Sequence, residues 1–204
     1  TSSIEMIDEM GDFTGFASDV KLIYSGEFTI KVATTEENVT DNYLSSDDVI
    51  NVYISGIDSR GGINEVSRSD VNIIMSINKK THNILMINTP RDYYVPLSIS
   101  NGVRDKLTHA GVYGIECSRN TLEMLYGIQI DYYVKVNFSG FEKIIDSLGG
   151  VDVTLDYSAT LSQAGNLTVH NGVNHFNGEQ ALTFARERYA YSDGDRQRGR
   201  NQMM

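Results

Sequence analysis

The sequence predicts an α/β sandwich, and three observations carry that prediction. Strand-like apolar runs alternate with capped stretches of helical period, the order that builds a sheet covered by helices. The runs Val49–Ile57, Val71–Ile77 and Ile84–Asn88 are almost continuously apolar, as in a sheet covered on both faces. The texture of the chain also changes near residue 47, where a patchy, acidic segment gives way to regular elements.

Residues 1–46 suggest a short helix at Ile4–Met10 and strands at Val20–Tyr24 and Phe28–Val32. Thr34–Asp48 is polar and acidic and reads as a linker. The second and third apolar runs are joined by the polar turn Asn78–Asn83. Ser118 precedes Leu122, Leu125 and Tyr126, with Gly127 as a stop. Ser139 and Glu142 form a capping box ahead of a stripe of Phe141, Ile144, Ile145 and Leu148, closed by Gly149-Gly150. Asn177 with Gln180 opens a third helix carrying Ala181, Leu182, Phe184 and Ala185. Tyr132–Val136 and Val151–Leu155 complete the predicted strands.

Composition narrows the function. The 204 residues suit one domain, or one domain and a fragment, and 40% apolar content excludes wholesale disorder. A net charge of −10 opposes non-specific binding to DNA or RNA, so no nucleic-acid partner is expected. The acidity is local. Residues 1–48 hold eleven acidic and two basic side chains, a net of −9, whereas the remainder holds sixteen and fifteen, a net of −1. A lone cysteine, Cys117, allows no intrachain disulfide. No apolar run reaches the ~20 residues that span a bilayer, and no signal peptide is visible. The chain starts at Thr1 and stops at Met204 after an arginine-rich stretch, as an excised piece of something longer would.

Polar residues suited to chemistry stand at strand ends and in loops. Asp58 follows the first predicted strand, Arg68 and Asp70 precede the second, and Arg91 and Asp92 follow the third. Five of ten arginines crowd the C-terminal stretch as Arg186, Arg188, Arg196, Arg198 and Arg200, among Asp193, Asp195 and Gln202. Guanidinium forks match phosphate oxygens, and carboxylate pairs suit a hard divalent ion that also takes phosphate oxygens. The set therefore points to phosphoryl chemistry more than to acyl transfer, with mutual pairing of these residues on the surface as the open alternative. His82, His109, His170 and His175 share no metal-ligand spacing, and neither a P-loop nor a nucleophile elbow is present.

Nine blocks then occur in a telling order: Gly56-Ile57-Asp58, Arg68-Ser69-Asp70, Thr89-Pro90-Arg91-Asp92, Lys106-Leu107-Thr108-His109-Ala110, Asn137-Phe138-Ser139-Gly140-Phe141, Leu148-Gly149-Gly150-Val151, Gly178-Glu179-Gln180-Ala181-Leu182, Arg186-Glu187-Arg188 and Asp195–Gln202. Over residues 49–204 this resembles the LytR-CpsA-Psr family of Gram-positive cell-envelope phosphotransferases, and most nearly its streptococcal capsule-attaching members. The resemblance implies an α-β-α sandwich with a mixed, mostly central sheet flanked by helices. It makes 47–204 the catalytic domain and 1–46 the remnant of a small accessory domain plus linker.

It further implies an enzyme held at the cell membrane by an anchor outside this chain, with its catalytic domain on the extracellular side. Such an enzyme moves a glycopolymer, capsular polysaccharide or teichoic-acid-like, from a polyprenyl diphosphate carrier to peptidoglycan. By that likeness Asp58 and Asp70 hold Mg²⁺ or Mn²⁺, while Arg68, Arg91, Arg186, Arg188 and Arg198 grip the diphosphate, helped by Gln202. Asp92 orients an arginine or acts as base. The last block departs from the family pattern: Asn201 stands where an arginine is usual, and either Arg200 compensates or the grip is weaker there. A diphosphatase and a non-catalytic lipid- or anion-binding regulator are the alternatives, since no residue distinguishes water from a sugar hydroxyl as nucleophile. The slot for the polyprenyl tail is expected between the sheet and the segments Thr121–Tyr126 and Phe141–Leu148.

Overall fold

The computed structural model describes residues 29–32, 47–59, 61–162, 166–192 and 194–204. In chain order the strands are β1 (Thr29–Val32), β2 (Val49–Ile57), β3 (Ser69–Asn78), β4 (Ile84–Asn88), β5 (Tyr94–Pro96), β6 (Arg104–Lys106), β7 (Tyr132–Val136), β8 (Val151–Leu155), β9 (Ala159–Leu161), β10 (Leu167–Val169) and β11 (Gly172–Phe176). The helices are α1 (Leu107–Ala110), α2 (Ile115–Tyr126), α3 (Phe138–Ser147), α4 (Gly178–Arg186) and α5 (Asp195–Asn201). The helix expected at Ile4–Met10, the strand at Val20–Tyr24 and most of the linker Thr34–Asp48 lie outside the described residues.

β1, β7, β2, β3 and β4 form the central sheet in that order. It is mixed: β2 and β7 run parallel, the other neighbours antiparallel. β1 falls within the segment expected to be an accessory remnant, yet it pairs with β7 at the sheet's edge, Thr29 opposite Lys135. Successive side chains on a strand face opposite ways. Tyr53, Ile74 and Tyr133 therefore point to one side, where they pack with Leu107, Cys117, Leu122 and Ile130 beneath α1 and α2. Their neighbours Ile54 and Ile73 point to the other side, toward α3 and α4. There a second core gathers Val153, Leu155, Leu161, Phe176 and Phe184, with Phe141 and Ile145 packed against it. The ribbons β8–β11 and β9–β10 carry this second core and stand apart from the main sheet.

Two helix starts differ from expectation. α2 begins three residues before Ser118, behind Gly114 with no side-chain cap, which leaves Ser118 buried inside the helix. It does stop at Gly127, whose φ of 65° suits a residue without Cβ. α3 is capped by Asn137 in place of the Ser139–Glu142 box. Asn137 Oδ1 accepts from the Gly140 N–H at 2.8 Å, and Nδ2 donates to the Gly61 carbonyl at 2.7 Å. One side chain thus starts the helix and ties down the loop after β2. The capping box at Asn177 and Gln180 is as expected.

Gly178 lies where α4 crosses α3, and a Cβ there would run into the backbone of Glu142. Backbone cannot swing aside as a side chain can. A Gly178→Ala variant is therefore expected to lose about 1–3 kcal/mol of unfolding free energy in urea melts. Parental stability would show that the two helices can separate at little cost.

Candidate active site

The layer between the sheet and α3–α4 contains a cavity of about 530 Å³. Its walls are apolar, with Ile54 and Ile73 from the sheet, Phe141 and Ile145 from α3, Val151 and Val153 from β8, and Ala181 and Leu182 from α4. The slot expected near Phe141–Leu148 is therefore present on the α3 side. The segment Thr121–Tyr126 does not line it, because α2 packs on the opposite face of the sheet.

Asp58, Arg68, Asp70, Arg91, Arg186, Arg188, Arg198 and Gln202 all line this one cavity. They come from five separate segments, and local geometry delivers each. At the end of β2 the register shifts between Gly56 and Ile57, so that both residues line the cavity and the chain leads on to Asp58. At the start of β3, Arg68 and Asp70 flank Ser69, which is fully buried on the other side. Ser69 Oγ lies 3.0 Å from Tyr53 Oη, 2.8 Å from Ser55 Oγ and 2.8 Å from Asn72 Oδ1. That buried network anchors the backbone from which its two charged neighbours extend. Arg186 and Arg188 flank the fully buried Glu187 in the same way.

The charges are arranged around an unused donor. Arg91 Nη1 donates to Asp70 Oδ2 at 2.6 Å, and both side chains are only 20% exposed. Asp70 Oδ1 accepts from Thr108 Oγ1 at 3.0 Å. Arg198 is buried and pairs with Asp195 at 2.8 Å. Burial draws its pKa below the ordinary arginine value, and Arg91 and Arg188 are close enough to push it further the same way. Among the described residues, Arg198 Nε is buried without a hydrogen-bond partner, whereas Arg91 Nε has the Asp92 carboxylate at 3.6 Å. Buried donors are ordinarily satisfied, so the Arg198 Nε suits an acceptor brought by a ligand. The Arg186 guanidinium lies 4.3 Å over the Phe138 ring, and Arg188 donates to Tyr189 Oη at 3.0 Å.

Other candidates sit differently. Asp92 does not line the cavity. Lys106 bonds it at 2.7 Å and, with Arg91 adding, holds its carboxyl below the usual carboxylate range. A carboxylate so stabilised is a weak base, whereas its approach of 3.6 Å to Arg91 Nε suits orienting that arginine. Gln202 has both ends of its amide engaged. Its Oε1 accepts from Asn88 at 3.3 Å, and its Nε2 donates to the Ala185 carbonyl at 3.2 Å, so it braces α5 against β4 and α4. Asn201 is buried, and its Nδ2 bonds the Phe184 carbonyl and Tyr191 Oη. Arg200 bonds Gln197 and does not line the cavity, which leaves the missing arginine without a substitute there. His109 faces Asp105 at 2.9 Å, outside the cavity lining. Thr108, Phe138 and Glu187 were not singled out in the sequence. Each lay inside a quoted block but carried no charge pattern of its own to mark it.

An apolar cavity with guanidinium groups and carboxylates on its wall can hold an amphiphile with an anionic head. The chain belongs to the LytR_cpsA_psr family, whose model matches residues 20–204. It is 33% identical over 190 residues to the polyisoprenyl-teichoic acid–peptidoglycan teichoic acid transferase TagT of Bacillus subtilis, covering 88% of this chain and 58% of that protein. The corresponding TagU transferase of Bacillus cereus is 34% identical over 168 residues, covering 79% and 52%. Among solved structures, the family protein YwtF (TagT) with bound octaprenyl pyrophosphate lipid superposes with a TM-score of 0.64 at 30% identity, covering 87% of this chain and 67% of that one. The chain spans little more than half the length of the curated relatives it matches.

Proposed function

We propose that this chain carries the catalytic unit of a membrane-anchored phosphotransferase that works on the outer side of a Gram-positive cell. It takes a glycopolymer from a polyprenyl diphosphate carrier and joins it to peptidoglycan. The polymer is capsular polysaccharide or a teichoic-acid-like chain, as the sequence blocks and the names of the relatives respectively suggest. The observation that carries the reading is one cavity in which apolar walls meet Arg68, Arg91, Arg186, Arg188 and Arg198. Such a site suits a prenyl tail and a diphosphate at once.

In the reaction a hydroxyl oxygen of the acceptor forms a bond to the sugar-side phosphorus and gives up its proton to solvent water. The bridging P–O bond breaks, and polyprenyl phosphate leaves with the electron pair. Charge stays on phosphate oxygens throughout a loose phosphoryl transition state, so placed cations contribute most. Arg91, Arg188 and Arg198 supply them, with Arg68 and Arg186 at the same cavity. Asp58 and Asp70 line one cavity and are the residues that would hold Mg²⁺, with phosphate oxygens and water completing its shell; Asp70 now accepts from Arg91 and Thr108 and would exchange one of those bonds for the ion. Bound there, the ion would offset diphosphate charge.

The test incubates the protein with a polyprenyl diphosphate-linked polymer, with and without peptidoglycan. Formation of a polymer–peptidoglycan phosphodiester is expected. Phosphorylated polymer and polyprenyl phosphate released equally without acceptor would identify a diphosphatase. For the metal, Asp58→Asn and Asp70→Asn are each expected to raise the half-saturating Mg²⁺ concentration about tenfold or more. An unchanged Mg²⁺ titration in either variant would remove that residue from the metal site.

A further inference from the structure

We propose that Glu187 is a positioning residue: its buried carboxylate fixes the turn that presents Arg188 to the cavity and so sets affinity for a diphosphate head group. The inference rests on the head-group reading given above. Arg186 ends α4, and Glu187 takes extended backbone angles, φ −65° and ψ 134°. The N–H groups that follow therefore leave the helical ladder and need other acceptors.

The Glu187 side chain supplies one. Its Oε1 accepts from the backbone N–H of Arg188 at 3.0 Å, Tyr189 at 2.7 Å and Ala190 at 3.1 Å. Its Oε2 accepts from the Ser162 N–H at 2.8 Å, just past the end of β9. The residue is fully buried and does not line the cavity, so it does not compete with a bound anion. Four N–H donors converging on one buried carboxylate meet the demand that burial makes on a charge. Glutamine cannot reproduce the set, because its NH₂ would meet one of those N–H groups donor against donor. The anchoring joins β9 to the turn between α4 and α5, and Arg188 is its first residue. The Arg188 guanidinium in turn donates to Tyr189 Oη, on a residue held by the same carboxylate.

Inorganic pyrophosphate is the probe, titrated calorimetrically into the wild-type chain and into Glu187→Gln, Glu187→Asp, Arg188→Ala and the Glu187→Gln/Arg188→Ala pair. Glu187→Gln is expected to weaken binding about tenfold. The double variant is expected to bind no more weakly than Arg188→Ala alone, because Glu187 acts through Arg188. A general loss of structure would weaken binding in both backgrounds, and that additive result overturns the proposal, as does a folded Glu187→Gln chain with wild-type affinity. Glu187→Asp, which keeps the charge on a shorter arm, serves if the amide variant does not fold. The wild type alone gives a further reading: slow amide exchange at Arg188, Tyr189 and Ala190 is expected, and exchange at free-peptide rates there overturns the proposal. A wild-type chain blind to pyrophosphate, with those amides protected, removes the head-group reading and with it the claim on affinity.

Discussion

An Arg91→Ala variant is expected to lose about 10²–10³-fold in kcat/KM for polymer transfer, the scale seen when one charge-stabilising donor is removed from an active site. Three consequences of the substitution add together. The Nη1 bond to Asp70 at 2.6 Å disappears, leaving a carboxylate only 20% exposed that still accepts from Thr108 Oγ1. Asp92 loses the guanidinium that it approaches at 3.6 Å. The positive charge that Arg91 shares with Arg188 and Arg198 around the cavity falls. Lysine should rescue little, since it offers a point charge where a planar fork is bonded. The measurement is transfer from a lipid-linked polymer to peptidoglycan, with lipid binding followed in parallel. Undiminished transfer in a variant that binds lipid would remove Arg91 from the catalytic set.

Filling the apolar end should separate the two halves of the ligand. Ala181 is 5% exposed and lines the cavity from α4. A tryptophan there projects into about 530 Å³ of existing space, so the usual overpacking cost is small. Each methylene of a prenyl tail denied burial forfeits about 0.8 kcal/mol. Ala181→Trp is therefore expected to weaken binding of a long-chain polyprenyl diphosphate at least ~100-fold while leaving inorganic pyrophosphate affinity within about twofold. Equal loss for both ligands would mean that tail and head do not share this cavity. A cavity that binds the long-chain lipid as before would place the tail elsewhere.

Much of the frame could be read from local pattern. β2, β4, β7 and β8 begin and end at the residues their apolar runs mark, and the Asn177–Gln180 box starts α4 where expected. What escaped was decided at long range. Ser139–Glu142 and Asn137–Gly140 are both sound caps for α3 on local grounds. The choice falls to Asn137, whose side chain also bonds Gly61, 76 positions away. α2 starts at a glycine with no side-chain cap, so no polar residue announces it. The ribbon strands β5, β6, β9 and β10 have three residues each, too few to show a period.

The candidate site divides in the same way. Its arginines and Asp70 were legible because their charge is dear to bury and their chemistry narrow. The service of Gln202 as a brace was not legible, because a glutamine amide bonds protein and ligand equally well. The engagement of Glu187 with Ser162, 25 positions away, has no trace in local pattern.

Arg68-Ser69-Asp70 and Arg186-Glu187-Arg188 share a property with evolutionary weight. In each, phase sets the roles: the first and third residues line the cavity and the middle one is buried in the interior. Losing or gaining a single residue inside either tripeptide would exchange those duties, driving a guanidinium or carboxylate into the packed side and turning the anchor outward. Substitution at these places can be graded, but a shift of frame cannot, so a one-residue deletion inside either triplet is expected to cost more than one in the connections between them.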